Sequence, residues 1–371
     1  MTDQDRELTY HDEIEKIIRT VPWWVKPRWY DYQERVINFA KENGYNMLIH
    51  GRGGPIPKTN AKGEELPFKF EAFPWQLKEV FLSRSTVFPP KLNYLINLKT
   101  WQLIFHDGRG GRVKVTDPEG TDIEFTLNEK YYDRNLDERG GFGPNPTLGH
   151  LFGHPTPPIV DEEDASGVIA GTTSHLTRPF PHLKANIESG KIQSINGGGE
   201  YGKAWNSLLE QTDSIRYPEF PKNGLFWLWE FAIGTNPKVK RPSKSLRLSG
   251  GGNEIERSRS GVIHAGFGTR WRGKSEVWAG ERGVPYGHLH IHLLLPTYEI
   301  KLPNSGRTIT VIENGRLKAL DDPEVREMAK KYGDPETLLR EDWVPNIPGI
   351  NAEGQYQDYA QDPAQWIKIH G

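Results

Sequence analysis

A run of alternating histidine and apolar residues is the most constraining feature of this sequence, because residues 287 to 293 read Gly-His-Leu-His-Ile-His-Leu. The alternation has the two-residue period of a β-strand, in which every second side chain lies on the same face, about 6.6 Å further along. It predicts a strand with His288, His290 and His292 on one face. Leucine and isoleucine on the opposite face would then pack into a hydrophobic core.

These histidines indicate a metal site. Two imidazoles placed two residues apart on a strand can bind one ion, and neutral imidazole is a ligand of zinc and iron alike. Three in a row rarely bind the same ion, because the outer two start about 13 Å apart along the strand. A further histidine, His264, lies in the apolar segment Gly261–Gly266 and offers another ligand. The alternative is an exposed edge strand whose histidines are solvated.

The sequence contains no cysteine. This excludes disulfides, zinc–thiolate sites, iron–sulfur clusters and thiol nucleophiles. Any metal ion must therefore be held by imidazole, carboxylate or backbone oxygen.

Glu230 is the carboxylate that fits such a site, because it lies in the very apolar segment Trp227–Gly234. A buried carboxylate without a partner is costly, so Glu230 needs a metal ion, a cation or a histidine proton. Ligating histidines usually donate their second N–H to a carboxylate. We therefore expect Glu230 beside the metal ligands or as a weak ligand; the alternative is a salt bridge to an arginine such as Arg270.

Charge and hydropathy patterns argue against several other classes of protein. The 371 residues carry a formal net charge of -2, so no basic surface for nucleic acid is expected. No stretch approaches the roughly 20 apolar residues of a membrane span, and the N-terminal residues lack the apolar core of a signal peptide. We therefore expect a cytoplasmic protein without nucleic-acid or membrane partners.

The order of helical and strand patterns predicts an α/β fold with two domains. Helical periodicity before residue 44 and at residues 92–105 indicates an N-terminal α/β domain over residues 1–112. Short strands separated by Gly, Pro and Asp turns indicate a β-rich, metal-binding catalytic domain over residues 113–371. The Pro-, Gly- and Gln-rich tail after Trp343 would cover part of its surface.

Five segments resemble motifs of the M29 aminopeptidase superfamily, in the same order along the chain. The superfamily contains aminopeptidases with two metal ions and 2,5-dihydroxypyridine 5,6-dioxygenases with one non-haem Fe(II). The resemblance implies the two-domain architecture of that superfamily and a homodimer. The segments are Asp117–Phe125, Gly149–Pro155, Glu230–Pro237, Gly261–His264 and His290–Leu293.

Two departures from the aminopeptidase pattern bear on the chemistry. The glutamate that binds metal in those enzymes is replaced here by His150, and their His-x-Asp pair is His290-x-His292. A site for two metal ions needs bridging carboxylates, so the resemblance implies a single ion. Aligned with the dioxygenase branch, the ligands are His264, His290 and His292.

The resemblance thus implies a mononuclear non-haem Fe(II) dioxygenase, with manganese or zinc also compatible with the ligand types. It would use O2 to open or oxygenate a small hydroxylated aromatic, heteroaromatic or related anionic ring substrate. The alternative is an aminopeptidase-like hydrolase that uses Zn2+. A third hypothesis is a protein that binds a metal or a ligand without catalysis.

The other expected site residues surround this ion. Glu230 and His288 would lie beside the ligands, and His150 or His154 would act as acid–base groups, because a phenolic substrate must lose a proton before it chelates a metal. We expect three further residues to orient an anionic substrate; the alternative is that they are ordinary exposed residues of the surface. They are His175, Arg178 and Arg270.

Overall fold

The computed structural model describes most of the chain from residue 88 onward. For residues 47–48, 70–71, 150–151, 288, 289 and 368 only the backbone is described. Because most of residues 1–87 lie outside the described part, the domain division at residue 112 stays a prediction. The described residues are 88–127, 129, 132, 164–174, 179–241, 256–269, 274–303 and 305–370, with the two-residue strands 47–48, 70–71 and 150–151.

The strands belong to three sheets, and nearly all of them pair with a neighbour in antiparallel orientation. They are β1 (Met47–Leu48), β2 (Phe70–Glu71), β3 (Arg112–Asp117), β4 (Thr121–Thr126), β5 (His150–Leu151), β6 (Ser166–Gly171), β7 (Leu183–Glu188), β8 (Lys191–Gly197), β9 (Leu228–Gly234), β10 (Ile263–Gly268), β11 (His288–Leu293), β12 (Thr297–Lys301), β13 (Thr308–Glu313) and β14 (Arg316–Leu317).

The larger sheet has eight strands in the order β14-β13-β12-β3-β4-β6-β7-β8, and the smaller has four in the order β11-β10-β9-β5. Strands β1 and β2 form a separate parallel pair. Antiparallel neighbours are often joined by tight turns, and the β3–β4 turn contains Gly120 at φ 107°, where a side chain would be strained.

The two larger sheets pack against each other through apolar side chains. The rings of Phe125 on β4 and Phe231 on β9 have centroids 4.9 Å apart. Ala265 and Ile291 of the smaller sheet are fully buried in the same core. Because side chains alternate along a strand, His264 of β10 and His290 and His292 of β11 lie on the opposite face of the smaller sheet.

Helices lie between and after the strands, so the fold combines helices and sheets as the sequence predicts. A π-helix (Gln102–Asp107) directly follows the first helix, and a 3-10 helix (Lys318–Asp321) precedes the fourth. The helices are α1 (Pro90–Trp101), α2 (Gly199–Thr212), α3 (Lys274–Arg282), α4 (Pro323–Ala329), α5 (Pro335–Leu339), α6 (Tyr356–Gln361) and α7 (Pro363–His370). No helix in the described ranges is both long and apolar enough to cross a membrane.

The segment after Trp343 contains α6 and α7 and packs beside the smaller sheet. Tyr359 of α6 is 2% exposed and belongs to a small apolar cluster with Val262 and Leu294. Val262 directly precedes β10, and Leu294 directly follows β11. The C-terminal helices therefore contact the two histidine-bearing strands, β10 and β11, near the ends of those strands.

Candidate metal centre

Strand β10 lies in the middle of the smaller sheet, with β9 on one side and β11 on the other. Gly266 is paired with Glu230 of β9 and with His290 of β11, and His264 is paired with His292 of β11. Side chains of directly paired residues in an antiparallel sheet lie on the same face. The register therefore places all four polar side chains on one face of three adjacent strands.

Glu230 lies between two imidazoles. Its Oε1 is 2.9 Å from His264 Nε2, and its Oε2 is 3.2 Å from His290 Nε2. The ligand atoms of these three residues all lie within 4.8 Å of one another, and no other group of three such residues in the described ranges is as close. Two ligand atoms of one zinc or iron ion, each about 2.1 Å from it, are roughly 3 to 3.5 Å apart. The carboxylate–imidazole distances thus match those expected around a metal ion.

Gly266 provides the space that this group occupies. A Cβ atom built on Gly266 would lie 2.9 Å from Glu230 Oε2 and 3.1 Å from His290 Nε2. These contacts are closer than van der Waals packing allows, so a side chain at residue 266 would displace the carboxylate or the imidazole. Because residue 266 has no side chain, there is space over the strand that is lined by nitrogen and oxygen atoms, as binding of an ion would require.

The group is largely buried, and burial affects the protonation of His264. The side chains of His264 and His290 are at most 1% exposed, and that of Glu230 is 15% exposed. Burial lowers the pKa of His264 to about 4, although the nearby Glu230 carboxylate acts in the opposite direction. A neutral imidazole is the form that binds a metal ion. His264 is therefore ready to serve as a ligand at neutral pH.

His292 lies beside this group but outside it. Its ring centroid is 6.2 Å from that of His264, and its Nδ1 lies 3.2 Å from Glu256 Oε1. The closely spaced set is therefore His264, His290 and Glu230, not the three histidines expected from the sequence. The ligand role of His292 stays a prediction, whereas Glu230 lies next to the histidines, as expected.

Glu256 and Arg241 were not among the residues expected from the sequence. Glu256 lies in the segment Glu254-Ile-Glu256-Arg257, which has the composition of a solvated loop. The structure instead buries Glu256 completely and pairs it with Arg241 Nε at 2.7 Å. No periodic pattern marks either residue, so the sequence carried no signal for this pair.

The remaining predicted site residues are only partly placed. The backbone of His288 pairs with Gly268 at the other end of β11, and the backbone of His150 pairs with Gly234 in β5. Both residues thus lie in the smaller sheet, but their side chains are not described. The predicted residues that lie outside the described ranges are His154, His175, Arg178 and Arg270.

Comparisons with known proteins give distant similarities. No protein-family model and no curated protein matches the sequence. One similar solved structure is 2,5-dihydroxypyridine dioxygenase from Pseudomonas putida KT2440, with TM-score 0.40 and 14% identity over 77% of this chain and 67% of that chain. Another is wild-type AmpT from Thermus thermophilus, with TM-score 0.34 and 15% identity over 61% of this chain and 52% of that chain. The assignment to the M29 superfamily stays a prediction.

Proposed function

We propose that this protein is a metal-dependent enzyme in which Glu230, His264 and His290 hold a single metal ion. The observation that carries the proposal is the convergence of two imidazole nitrogens and one carboxylate within 4.8 Å. The space over Gly266 supports this proposal, because only a residue without a side chain leaves room there for the carboxylate and the imidazole.

More specifically, we propose that the enzyme is a mononuclear non-haem Fe(II) dioxygenase. Two histidines and one carboxylate, with the remaining coordination positions open, form the ligand set typical of non-haem Fe(II) oxygenases. When bound, the iron would supply the redox chemistry with O2. The protein's own contribution is to hold the three ligands on adjacent strands and to keep water away from a buried face.

The charge of the ligand set bears on the substrate. Glu230 contributes one negative charge and both histidines are neutral ligands, so a divalent ion keeps one positive charge. An anionic ring substrate would neutralise that charge, which favours a small hydroxylated aromatic or heteroaromatic compound. The proposal also includes His150 and His154 as acid–base groups. Substrate binding is assigned to His175, Arg178 and Arg270. A homodimer and a cytoplasmic location are part of the same proposal.

A zinc-dependent hydrolase is the second candidate, because two histidines and one glutamate also form the ligand set of several zinc hydrolases. Imidazole and carboxylate bind Fe(II), Mn(II) and Zn(II), and the ligand types alone do not separate the two functions. The identity of the bound ion and the consumption of O2 distinguish the dioxygenase from the hydrolase.

The experiment is anaerobic purification followed by elemental analysis and by oxygen-uptake assays with hydroxypyridines and hydroxybenzoates. We expect one iron per chain and O2 uptake with at least one of these compounds. Glu230→Gln should lose the metal, whereas Glu200→Gln, at an exposed carboxylate on α2, should bind it like the wild type. Zinc with release of amino acids from peptides would contradict the dioxygenase proposal, and a protein that binds no metal would contradict both candidates.

A further inference from the structure

Two hydrogen bonds that connect helix α6 to the rest of the chain lead to the carboxyl group of Glu119, in the turn between β3 and β4. Tyr356 Oη donates to Glu119 Oε1 at 3.1 Å. Thr172 Oγ1 donates its single proton to the same oxygen at 2.9 Å. The hydroxyl of Tyr359, 2.9 Å from Thr172 Oγ1, must therefore donate to Thr172. Both tyrosine hydroxyl protons of α6 are thus directed toward Glu119.

His182, which directly precedes β7, makes a third connection. Its backbone N–H donates to the carbonyl oxygen of Ala360 at 2.7 Å. Its ring Nε2 lies 2.6 Å from the carbonyl oxygen of Glu119 and donates to it, since a carbonyl oxygen only accepts. The rings of His182 and Tyr356 are also in edge-to-face contact, with centroids 5.7 Å apart. In the described part of the chain, all three connections of α6 therefore meet at Glu119 or at a residue hydrogen-bonded to it.

The Glu119 carboxyl group is buried and only half satisfied. The residue is 3% exposed, and its Oε2 has no hydrogen-bond partner among the described residues. An ionised carboxylate accepts hydrogen bonds at both oxygens, and burying it without them is costly. Burial, followed by the negative charge of Asp117, raises the pKa of Glu119 to about 8, although the hydrogen bonds from Thr172 and Tyr356 act in the opposite direction. The attached state of α6 thus goes with a neutral carboxyl group at pH 7.

We propose that α6 is a pH-sensitive strap, which stays attached while the Glu119 carboxyl group is neutral and is released when this group ionises. Release lets water reach a carboxylate that Tyr356 and Tyr359 otherwise cover. A helix of six residues does not persist alone in water, so a released α6 also unfolds. Tyr359 packs against Val262 and Leu294, so release would expose the ends of β10 and β11. The inference does not depend on the proposed function.

The neighbouring titratable groups change charge mainly outside the range from pH 6.5 to pH 8. Burial raises the pKa of Asp117 to about 6 and lowers the pKa of His182 below its usual value, so both titrate mainly at lower pH. Burial also raises the pKa of Tyr356 and of Tyr359, which stay neutral. Ionisation of Glu119 is therefore the main change of charge in this range. The groups that face Glu119 or its neighbours are Asp117 in the same turn, His182 and Lys184 beside and on β7, Tyr356 and Tyr359 on α6, Glu256, and Arg259, which faces Asp117.

Hydrogen–deuterium exchange followed by mass spectrometry tests the strap in the full chain. The protection factor of a peptide that covers α6, corrected for the intrinsic exchange rate at each pH, reports the equilibrium between attached and released states. Release lets Glu119 return to its ordinary pKa and lose its proton, so this factor should fall about tenfold between pH 6.5 and pH 8. Peptides from β12, in the interior of the larger sheet, should keep their protection.

Four variants separate the roles of charge and of contact. Glu119→Gln is neutral at every pH, so the protection of α6 should change less than about twofold over this range. Tyr356→Phe removes a donor that favours the ionised form of Glu119, so the fall in protection should continue to higher pH. Tyr359→Phe should lower the protection at every pH but keep the fall. Glu200→Gln, at an exposed carboxylate, is the matched control and should behave like the wild type.

Three results would overturn the strap. The first is protection of α6 that does not depend on pH in the wild type. The second is the same fall in Glu119→Gln as in the wild type, or, if that variant does not fold, a fall in Tyr356→Phe that ends at the same pH as in the wild type. The third is an equal fall in the peptides of α6 and β12, because the whole protein would then unfold together.

Discussion

Gly266 occupies the point where the side chains of Glu230 and His290 approach each other over β10. Its neighbours on that face are two ligand atoms about 3 Å away from where a methyl group would be. A fully apolar strand would place alanine or valine here at no cost to the sheet. The residue type at 266 is therefore determined by the site rather than by strand formation.

The variant Gly266→Ala is expected to bind the metal at least about tenfold more weakly than the wild type, and overpacking should destabilise the fold by roughly 1 to 3 kcal/mol. Isothermal titration with Co²⁺ and urea denaturation measure the two effects. Gly306→Ala is the matched control, because a Cβ there meets no atom within 4 Å, although its φ of +64° disfavours a side chain. Equal metal affinity in Gly266→Ala and wild type would contradict the role of this residue.

Glu119 is a second residue whose surroundings determine its chemistry. It is 3% exposed, and its Oε1 accepts hydrogen bonds from Thr172 Oγ1 at 2.9 Å and from Tyr356 at 3.1 Å. Burial, followed by the negative charge of Asp117, raises the pKa of Glu119 well above its ordinary value of 4.5. The folded protein thus holds this proton at a pH where the unfolded chain has released it.

This difference predicts a fall in stability with rising pH. Above about pH 4.5 the folded state binds more protons than the unfolded state, so the free energy of unfolding decreases as the pH rises toward the raised pKa of Glu119. Glu119→Gln cannot titrate at this position and should lose less stability between pH 5 and pH 8 than the wild type. Thermal denaturation across this range measures the difference. Identical dependence of stability on pH in the two proteins would contradict the prediction.

At the scale of elements, helix α6 connects the C-terminal segment to the larger sheet. Tyr359 Oη lies 2.9 Å from Thr172 Oγ1, just after β6, and the backbone N–H of His182 donates to the carbonyl oxygen of Ala360 at 2.7 Å. The helix has six residues, of which Tyr359 is buried. Its attachment therefore depends on a few specific contacts rather than on a broad apolar face.

The variant Tyr359→Phe keeps the ring but removes the hydrogen bond to Thr172. We expect a loss of about 1 kcal/mol in the free energy of unfolding, the usual net value of such a bond. A double-mutant cycle with Thr172→Val, measured by urea denaturation, isolates the pair. Strictly additive losses in the double variant would show that the two side chains do not interact.

Elements with a strong pattern could be predicted from the sequence, and those held by single contacts could not. The alternation at residues 288–293 predicts strand β11, and the structure confirms it with Ile291 and Leu293 in the core. Asp322 before Pro323 marks the start of α4, and its carboxylate accepts from the N–H groups of Glu324 and Val325. Helix α6 reads Tyr-Gln-Asp-Tyr-Ala-Gln and has no apolar period, so the sequence did not indicate a helix there.

The same distinction applies to the candidate site. Histidines in apolar strands stand out, which explains why His264 and His290 could be identified before the structure was known. The pairing of Gly266 with both Glu230 and His290 depends on the register between three strands far apart in sequence. Register across such separations is not encoded in any local pattern. Glu230 was expected near the ligands, but its contacts with both imidazoles and the position of His292 outside the closest group needed the structure.

At the scale of the whole molecule, a metal ion bound by three strands would stabilise the fold. An ion that binds only the folded state adds about 2.7 kcal/mol to the free energy of unfolding at a concentration 100 times its Kd. Removing the metal with EDTA should therefore lower the midpoint of thermal unfolding in the wild type. Glu230→Gln is the control, and we expect EDTA to leave its midpoint unchanged. An equal response in both proteins would show that EDTA does not act through an ion bound at Glu230.

The contribution of three neighbouring strands to one ligand group has a consequence for refolding. A slip of one residue in β10 would turn His264 toward the core and Ala265 toward the ligands, because successive side chains alternate in direction. Such a chain would keep its content of helix and strand, and circular dichroism would not detect the error. Uptake of the ion would detect it, so metal content serves as a measure of correctly assembled sheet in any preparation recovered from denaturant.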